Sequence, residues 1–129
     1  MLADGDYWDY WFDGIISTCR LIADKDVFRR VWILGDFTIT SIHYYDELLE
    51  QLLGDLHLAT SLQRFEKRLS DVGALDAVRE FARALHELDT RVTCTPALQE
   101  PCTLLDSREW RHFQLSAKRV ADLPIAHQQ

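Results

Sequence analysis

Residues 74–88 read Ala-Leu-Asp-Ala-Val-Arg-Glu-Phe-Ala-Arg-Ala-Leu-His-Glu-Leu. Apolar residues return at Val78, Phe81, Ala82, Leu85 and Leu88, three and four apart, so one face of an α-helix collects them. A strand would need alternation by two. On the wet face Glu80–Arg83 and Arg83–Glu87 stand at helical distance, where such pairs add about 0.2–0.5 kcal/mol each.

The same spacing recurs on both sides of this stretch. Over Asp6 to Ile22, Tyr7, Trp11, Ile15 and Leu21 or Ile22 share a face, with Trp8, Phe12, Ile16 and Cys19 beside it. Asp4 or Asp6 suits the cap. Gly14 costs about 1 kcal/mol relative to Ala inside a helix, which a second helix approaching closely would justify. A short helix is expected over Asp24 to Ile33, on Val27, Phe28, Val31 and Trp32, before Leu34-Gly35-Asp36 breaks the pattern. Tyr44 to Leu53 turns Tyr45, Leu48, Leu49, Leu52 and Leu53 inward and Asp46, Glu47 and Glu50 outward, with Gly54 placed for the C-terminal turn. Ser61 to Val72 buries Leu62, Phe65 and Leu69. Residues 90–105, with Pro96 and Pro101, read as a long connection. A last helix starts at Asp106 or Ser107, buries Trp110, Phe113, Ala117 and Val120 or Ala121, and ends by Pro124.

These segments predict one compact all-α domain over residues 1–129, with five or six helices. Residues 36–43 alternate weakly and also admit a short strand pair, which would make the fold α+β. A packed loop is preferred there, because a lone strand leaves its ladder groups unpaired.

Of the 129 residues, 47% are hydrophobic and 27% charged, ordinary values for a globular domain. Five Gly and three Pro argue against a collagenous or linker-like chain. The net charge of −7 lies wholly in residues 1–60, which carry eleven acids and four bases; residues 61–129 carry ten of each. An acidic chain repels nucleic acid, so direct nucleic-acid binding is not expected. Arg108, Arg111, His112, Lys118 and Arg119 give the last helix a partly basic side, but Asp106, Glu109 and Asp122 flank it. That side is expected to be solvated or to pair with the acidic first half.

Three cysteines, Cys19, Cys94 and Cys102, leave one thiol unpaired at least, which fits a reducing compartment. The first residues lack the basic and small-residue marks of a signal peptide, and no apolar run is long enough to span a membrane. The expected location is the cytoplasm.

Motifs for chemistry are sparse. The chain has no GxGxxG, no GxxxxGK[ST], no HExxH and no GxSxG. His43, His57, His86, His112 and His127 are scattered. Asp46 and Glu50 stand one turn apart, a spacing open to acid/base or two-metal work. The helix Tyr44 to Leu53 offers them no histidine at three or four, and the Glu-x-x-His element that a di-iron bundle needs twice does not occur twice. No catalytic residue, metal or cofactor is therefore expected, and the chain is read as a binding protein rather than an enzyme. Two acidic ridges stand out: Asp6-Asp9-Asp13, with Tyr10 close by, and Asp46-Glu47-Glu50, with Asp55 beyond. Aromatic anchors beside steering acids make binding surfaces. Asp46, Glu47, Glu50 and Asp55 are the first partner-binding candidates, followed by Asp9 and Asp13. Trp8 and Trp11 serve equally well as core; Trp32 and Trp110 are read as core.

The run Arg29-Arg30-Val31-Trp32-Ile33-Leu34-Gly35-Asp36, then Thr40-Ser41-Ile42, then Tyr45-Asp46-Glu47-Leu48-Leu49-Glu50-Gln51-Leu52-Leu53-Gly54-Asp55-Leu56, resembles small bacterial immunity proteins, including those of contact-dependent growth inhibition systems. The flanks resemble them in character only: an aromatic first helix and a late Ser107-Arg108-Glu109-Trp110 helix start. The resemblance implies a protein that binds the toxic C-terminal domain of a cognate toxin and neutralises it. Such toxins are often nucleases with basic clefts, which carboxylates can fill in place of phosphates. Only Asp46-Glu47-Leu48 and Gly54-Asp55-Leu56 map onto the family, and toxin-facing residues diverge within it, so no contact residue is carried over. The alternatives are a helical scaffold or regulatory subunit, dimeric through the aromatic first helix, and a small metal-dependent enzyme. The oligomeric state is left open.

Overall fold

The computed structural model describes residues 4–124, with side chains from residue 7 onward, and the described residues hold seven α-helices and no strand. In chain order these are α1 (Asp4–Ala23), α2 (Tyr45–Leu49), α3 (Leu58–Arg64), α4 (Glu66–Asp71), α5 (Leu75–Cys94), α6 (Pro101–Asp106) and α7 (Arg108–Ala121). The all-α reading holds, and the α+β alternative does not.

The core is built on three long helices. α7 lies against both α1 and α5. It brings Trp110, Phe113, Ala117 and Val120, with Phe113 stacked on Phe81 of α5 at 5.2 Å. α1 contributes the wide band expected of it: Trp8, Trp11, Phe12, Ile15, Ile16, Cys19 and Ile22 are all buried. Burying side chains of this size contributes roughly 1.5–3 kcal/mol each. The aromatic end of α1 is closed by the α3–α4 corner. Phe65 lies 5.3 Å from the rings of both Trp8 and Trp11, and the guanidinium of Arg68 sits 5.0 Å over Trp8.

Several boundaries differ from the sequence expectation. The helix read over 74–88 continues to Cys94, burying Val92. The long connection then contains two further turns. Pro96 and Pro101 each open one, a 3₁₀ turn Pro96–Gln99 and α6, because a first-turn residue needs no N–H of its own. Glu100 caps α6, accepting hydrogen bonds from the Cys102 and Thr103 amides at 3.2 and 3.1 Å, and these bonds hold its carboxyl below the usual range. The helix read over 61–72 is interrupted at Phe65.

Residues 36–43 form a loop, not a strand pair. Side chains meet its backbone where a ladder would have: the Trp32 indole donates to the Ile42 carbonyl at 3.1 Å, and Asp36 accepts from the Thr38 amide and hydroxyl.

Two segments wind more widely than an α-helix. Arg29–Ile33 and Glu50–Asp55 are π-helical, closed by Leu34 N–H to Arg29 O (3.3 Å) and Leu56 N–H to Gln51 O (3.0 Å). The second continues α2 without a break, so Gly54 lies within the helical run rather than ending it. The left-handed residue that turns the chain into α3 is His57, at φ 44°. Just before it, Leu56 is seated on α1. Its carbonyl accepts the buried Trp11 indole N–H at 2.7 Å. Its side chain lies over Gly14, where an added Cβ would stand 2.7 Å from Leu56 Cδ2. Gly14 thus admits a side chain, whereas the sequence suggested a helix backbone.

Two expectations follow. Trp11→Phe removes the donor, leaves the Leu56 carbonyl unpaired and opens a void, so urea unfolding should show a loss of about 2–4 kcal/mol. His57→Gly relieves a left-handed backbone on an exposed residue and should raise stability by about 0.5–1 kcal/mol in the same assay.

Candidate functional site

The acids chosen from sequence are on the surface. Asp9, Asp13, Asp46, Glu50 and Asp55 are exposed; Glu47 is half-buried and accepts the His43 amide at 3.4 Å. The Asp6 side chain lies outside the described residues. Among the described residues no ion pair engages any of these six candidates.

The second half of the chain behaves differently. Glu66 pairs with Arg79 (2.7 Å), Glu80 with Arg83 (3.4 Å), Glu109 with Arg91 (3.8 Å) and Asp122 with Lys118 (2.6 Å). Pairing between the halves was expected to match C-terminal bases with N-terminal acids. Among the described residues, Arg29 pairs with Asp106 at 2.7 Å, in the opposite sense. Arg64 and Arg68 lie over the rings of Tyr7 and Trp8. Asp9, Asp13, Asp46, Glu50 and Asp55 are thus exposed and without an ion pair among the described residues.

Asp46 alone among the six candidates lines a cleft of about 590 Å³ between α2, α5 and the Pro96–Pro101 corner. Trp32, Tyr44 and Tyr45 bring aromatic surface to it, Leu49, Val92, Leu98 and Leu104 an apolar lining, and Asp89 a second carboxylate. The Tyr45 hydroxyl donates to Asp89 Oδ1 at 3.1 Å. Burial pushes the Tyr45 phenol well above its usual range, and the charges of Asp89 and Asp46 push it further. Both carboxylates thus act on one hydroxyl. No Lys, Arg or His lines the cleft.

The cleft opens onto an apolar rim. Phe37 and Tyr44 are 44% and 60% exposed, and Phe37 stacks on His43 at 4.4 Å and faces Tyr44 at 6.0 Å. Tyr44 belongs to both cleft and rim. Contiguous exposed apolar surface of this kind marks interaction sites on soluble domains. On α1, Trp8 and Trp11 are buried within the chain and Tyr10 is exposed.

Asp9 and Asp13 stand on the outer side of α1, away from its buried band, and neither they nor Glu47, Glu50 and Asp55 line the cleft. Asp55 and Gly54 precede the Leu56 seat, so the Gly54-Asp55-Leu56 element has a clear part in the fold. Asp89, Trp32 and Tyr44 were missed. Asp89 falls one residue past the expected helix end at Leu88; the Leu88–Val92 spacing carries the helix another turn and would have exposed it. Trp32 was assigned to the core and is in fact half-buried at the cleft wall.

Among the described residues no group of three or more His, Cys, Asp or Glu side chains is placed to hold a metal ion. The single Glu-x-x-His in the chain, Glu109 to His112, faces Arg91 (3.8 Å) and Glu80 (3.7 Å). Cys94 and Cys102 are exposed free thiols; Cys19 is buried, which pushes its thiol up. Among the described residues no helix is long and apolar enough to cross a membrane.

Comparison with protein-family models, curated proteins and solved structures finds no match to the chain. The resemblance over residues 29–56 rests on those residues alone.

The Tyr45–Asp89 bond has a pH signature. A phenol raised in the folded chain contributes stability that is whole below its ordinary value of about pH 10 and is lost as pH rises beyond it. Tyr45→Phe should cost about 1 kcal/mol at neutral pH. It should also make the loss of stability above about pH 10 shallower than in the unsubstituted chain. Denaturant unfolding at stepped pH checks both.

Proposed function

We propose that the chain is an immunity protein of the cytoplasm. It binds a cognate toxin domain stoichiometrically, performs no chemistry, and takes a basic nuclease as its partner. The observation that carries this reading is the joining of unpaired carboxylates to exposed aromatic surface. Asp46 and Tyr44 adjoin in the cleft, Phe37 extends the rim, and Glu50 and Asp55 lie along the continuing helical run. The negative field speeds encounter with a basic surface, and the aromatic rings supply affinity once water is excluded. The resemblance over residues 29–56 supports the same reading, since that segment supplies Trp32, the rim and α2.

The same surface would also suit a scaffold or regulatory subunit, and one experiment separates the readings. The tagged chain is co-expressed with the product of the adjacent upstream gene. The expected outcome is a stoichiometric complex and survival of cells exposed to that toxin. Tyr44→Ala should weaken the complex by about thirtyfold or more, the loss of one hot-spot residue. Neither complex nor protection would remove the immunity reading; a stable partner without toxic activity would favour the regulatory one.

A further inference from the structure

We infer that the cleft between α2 and α5 receives one arginine side chain, presented by a basic segment of the protein that this chain binds. The inference rests on the proposed binding role and names the anchor of that contact.

Charge is the first argument. Asp46 and Asp89 face the cleft, no cation lines it, and Asp46 has no ion-pair partner among the described residues. Tyr45 occupies Oδ1 of Asp89 and thereby fixes the orientation of that carboxylate. A guanidinium offers five donors in a planar fork and can meet two carboxylates without displacing the Tyr45 bond.

Shape is the second. Trp32 and Tyr44 supply rings on which a flat cation stacks, and the apolar lining suits the methylene stem. A compact ammonium uses the rings less well than a guanidinium. At about 590 Å³ the cleft falls within the usual range for a site that encloses a small ligand, about 300–1,000 Å³. The third argument is the rim. Phe37 and Tyr44 continue the cleft outward, where the residues beside an arginine in a polypeptide would rest. A free polyamine would make no use of that surface, so a protein side chain is the occupant.

The test uses the full chain, isotopically labelled for NMR, titrated with N-acetyl-arginine methylamide. The lysine and norleucine analogues and spermidine serve as comparisons. Arginine should give saturable shifts at the Trp32 indole N–H and at the amides of Tyr44, Tyr45, Asp46 and Asp89. The lysine probe should bind more weakly and the norleucine probe should give no such shifts. Asp46→Asn should raise the dissociation constant about tenfold. Asp89→Asn should do the same while keeping an oxygen for Tyr45 to bond. Asp46 is exposed, so its variant serves even if Asp89→Asn fails to fold. The inference is overturned by no saturable shift, by equal shifts with norleucine, by tighter binding of spermidine, or by unchanged affinity in Asp46→Asn. A toxin complex that forms while arginine fails to bind would overturn this site and leave the immunity reading intact. Arginine binding without any toxin complex would do the reverse.

Discussion

The buried hydrogen bond from the Trp11 indole to the Leu56 carbonyl holds the acidic half of the chain in one arrangement. Leu56 follows a π-helical stretch and precedes a left-handed residue, so its carbonyl has no helical partner. An unpaired buried carbonyl would cost about 1–3 kcal/mol. Trp11 supplies the missing donor from the middle of α1, and Gly14 leaves room for the Leu56 side chain beside it. One residue thereby fixes where the helical run 45–55 ends and where α3 begins. The other end of that run is held at Tyr45, through Asp89 of α5. The cleft exists because the run is anchored at both ends on different long helices.

Two parts of the cleft lining adjoin π-helical segments. Trp32 lies within one, and α2 runs into the other. A π turn inserts an extra residue and rotates the side chains after it, and such turns recur at functional sites. Here the first sends the Trp32 indole towards Ile42, away from a fully buried position. The second carries the chain from the exposed Asp46 and Glu50 to the buried Leu56. The charge count acquires a spatial meaning in the same way. Four of the ten acids of the second half, Glu66, Glu80, Glu109 and Asp122, pair with a base on the same or another α-helix. Of the first half, Asp46 stands without an ion pair among the described residues beside the exposed ring of Tyr44. The excess of acids in residues 1–60 reaches the cleft through Asp46, while Asp9 and Asp13 stay on α1.

The helical class was legible because the core faces of α1, α5 and α7 keep a regular three-and-four spacing. Caps and prolines were less legible. Pro96 and Pro101 look like breaks in sequence, yet each also suits the first turn of a helix, and the choice depends on the Glu100 cap. Gly54 looked like a helix end because glycine favours left-handed turns; tertiary packing of Leu56 assigned that turn to His57 instead. The candidate site was half visible. Asp46 and its unpaired state follow from the outward face of α2. Asp89 and Trp32 meet through the fold, one from a helix that continues past its expected end and the other from the π-helical turn Arg29–Ile33. Asp9 and Asp13 were rightly placed outside the core, but no sequence pattern tells that α1 holds them apart from the cleft.

The central claim is that the Trp11–Leu56 contact is part of the cooperative core rather than a local closure. Hydrogen exchange of the Trp11 indole N–H, followed by NMR, tests it directly. The account predicts exchange as slow as that of the most protected amides of α1 and α7, speeding with denaturant along the global unfolding curve. Exchange within minutes and insensitive to denaturant, while those amides stay protected, would contradict it.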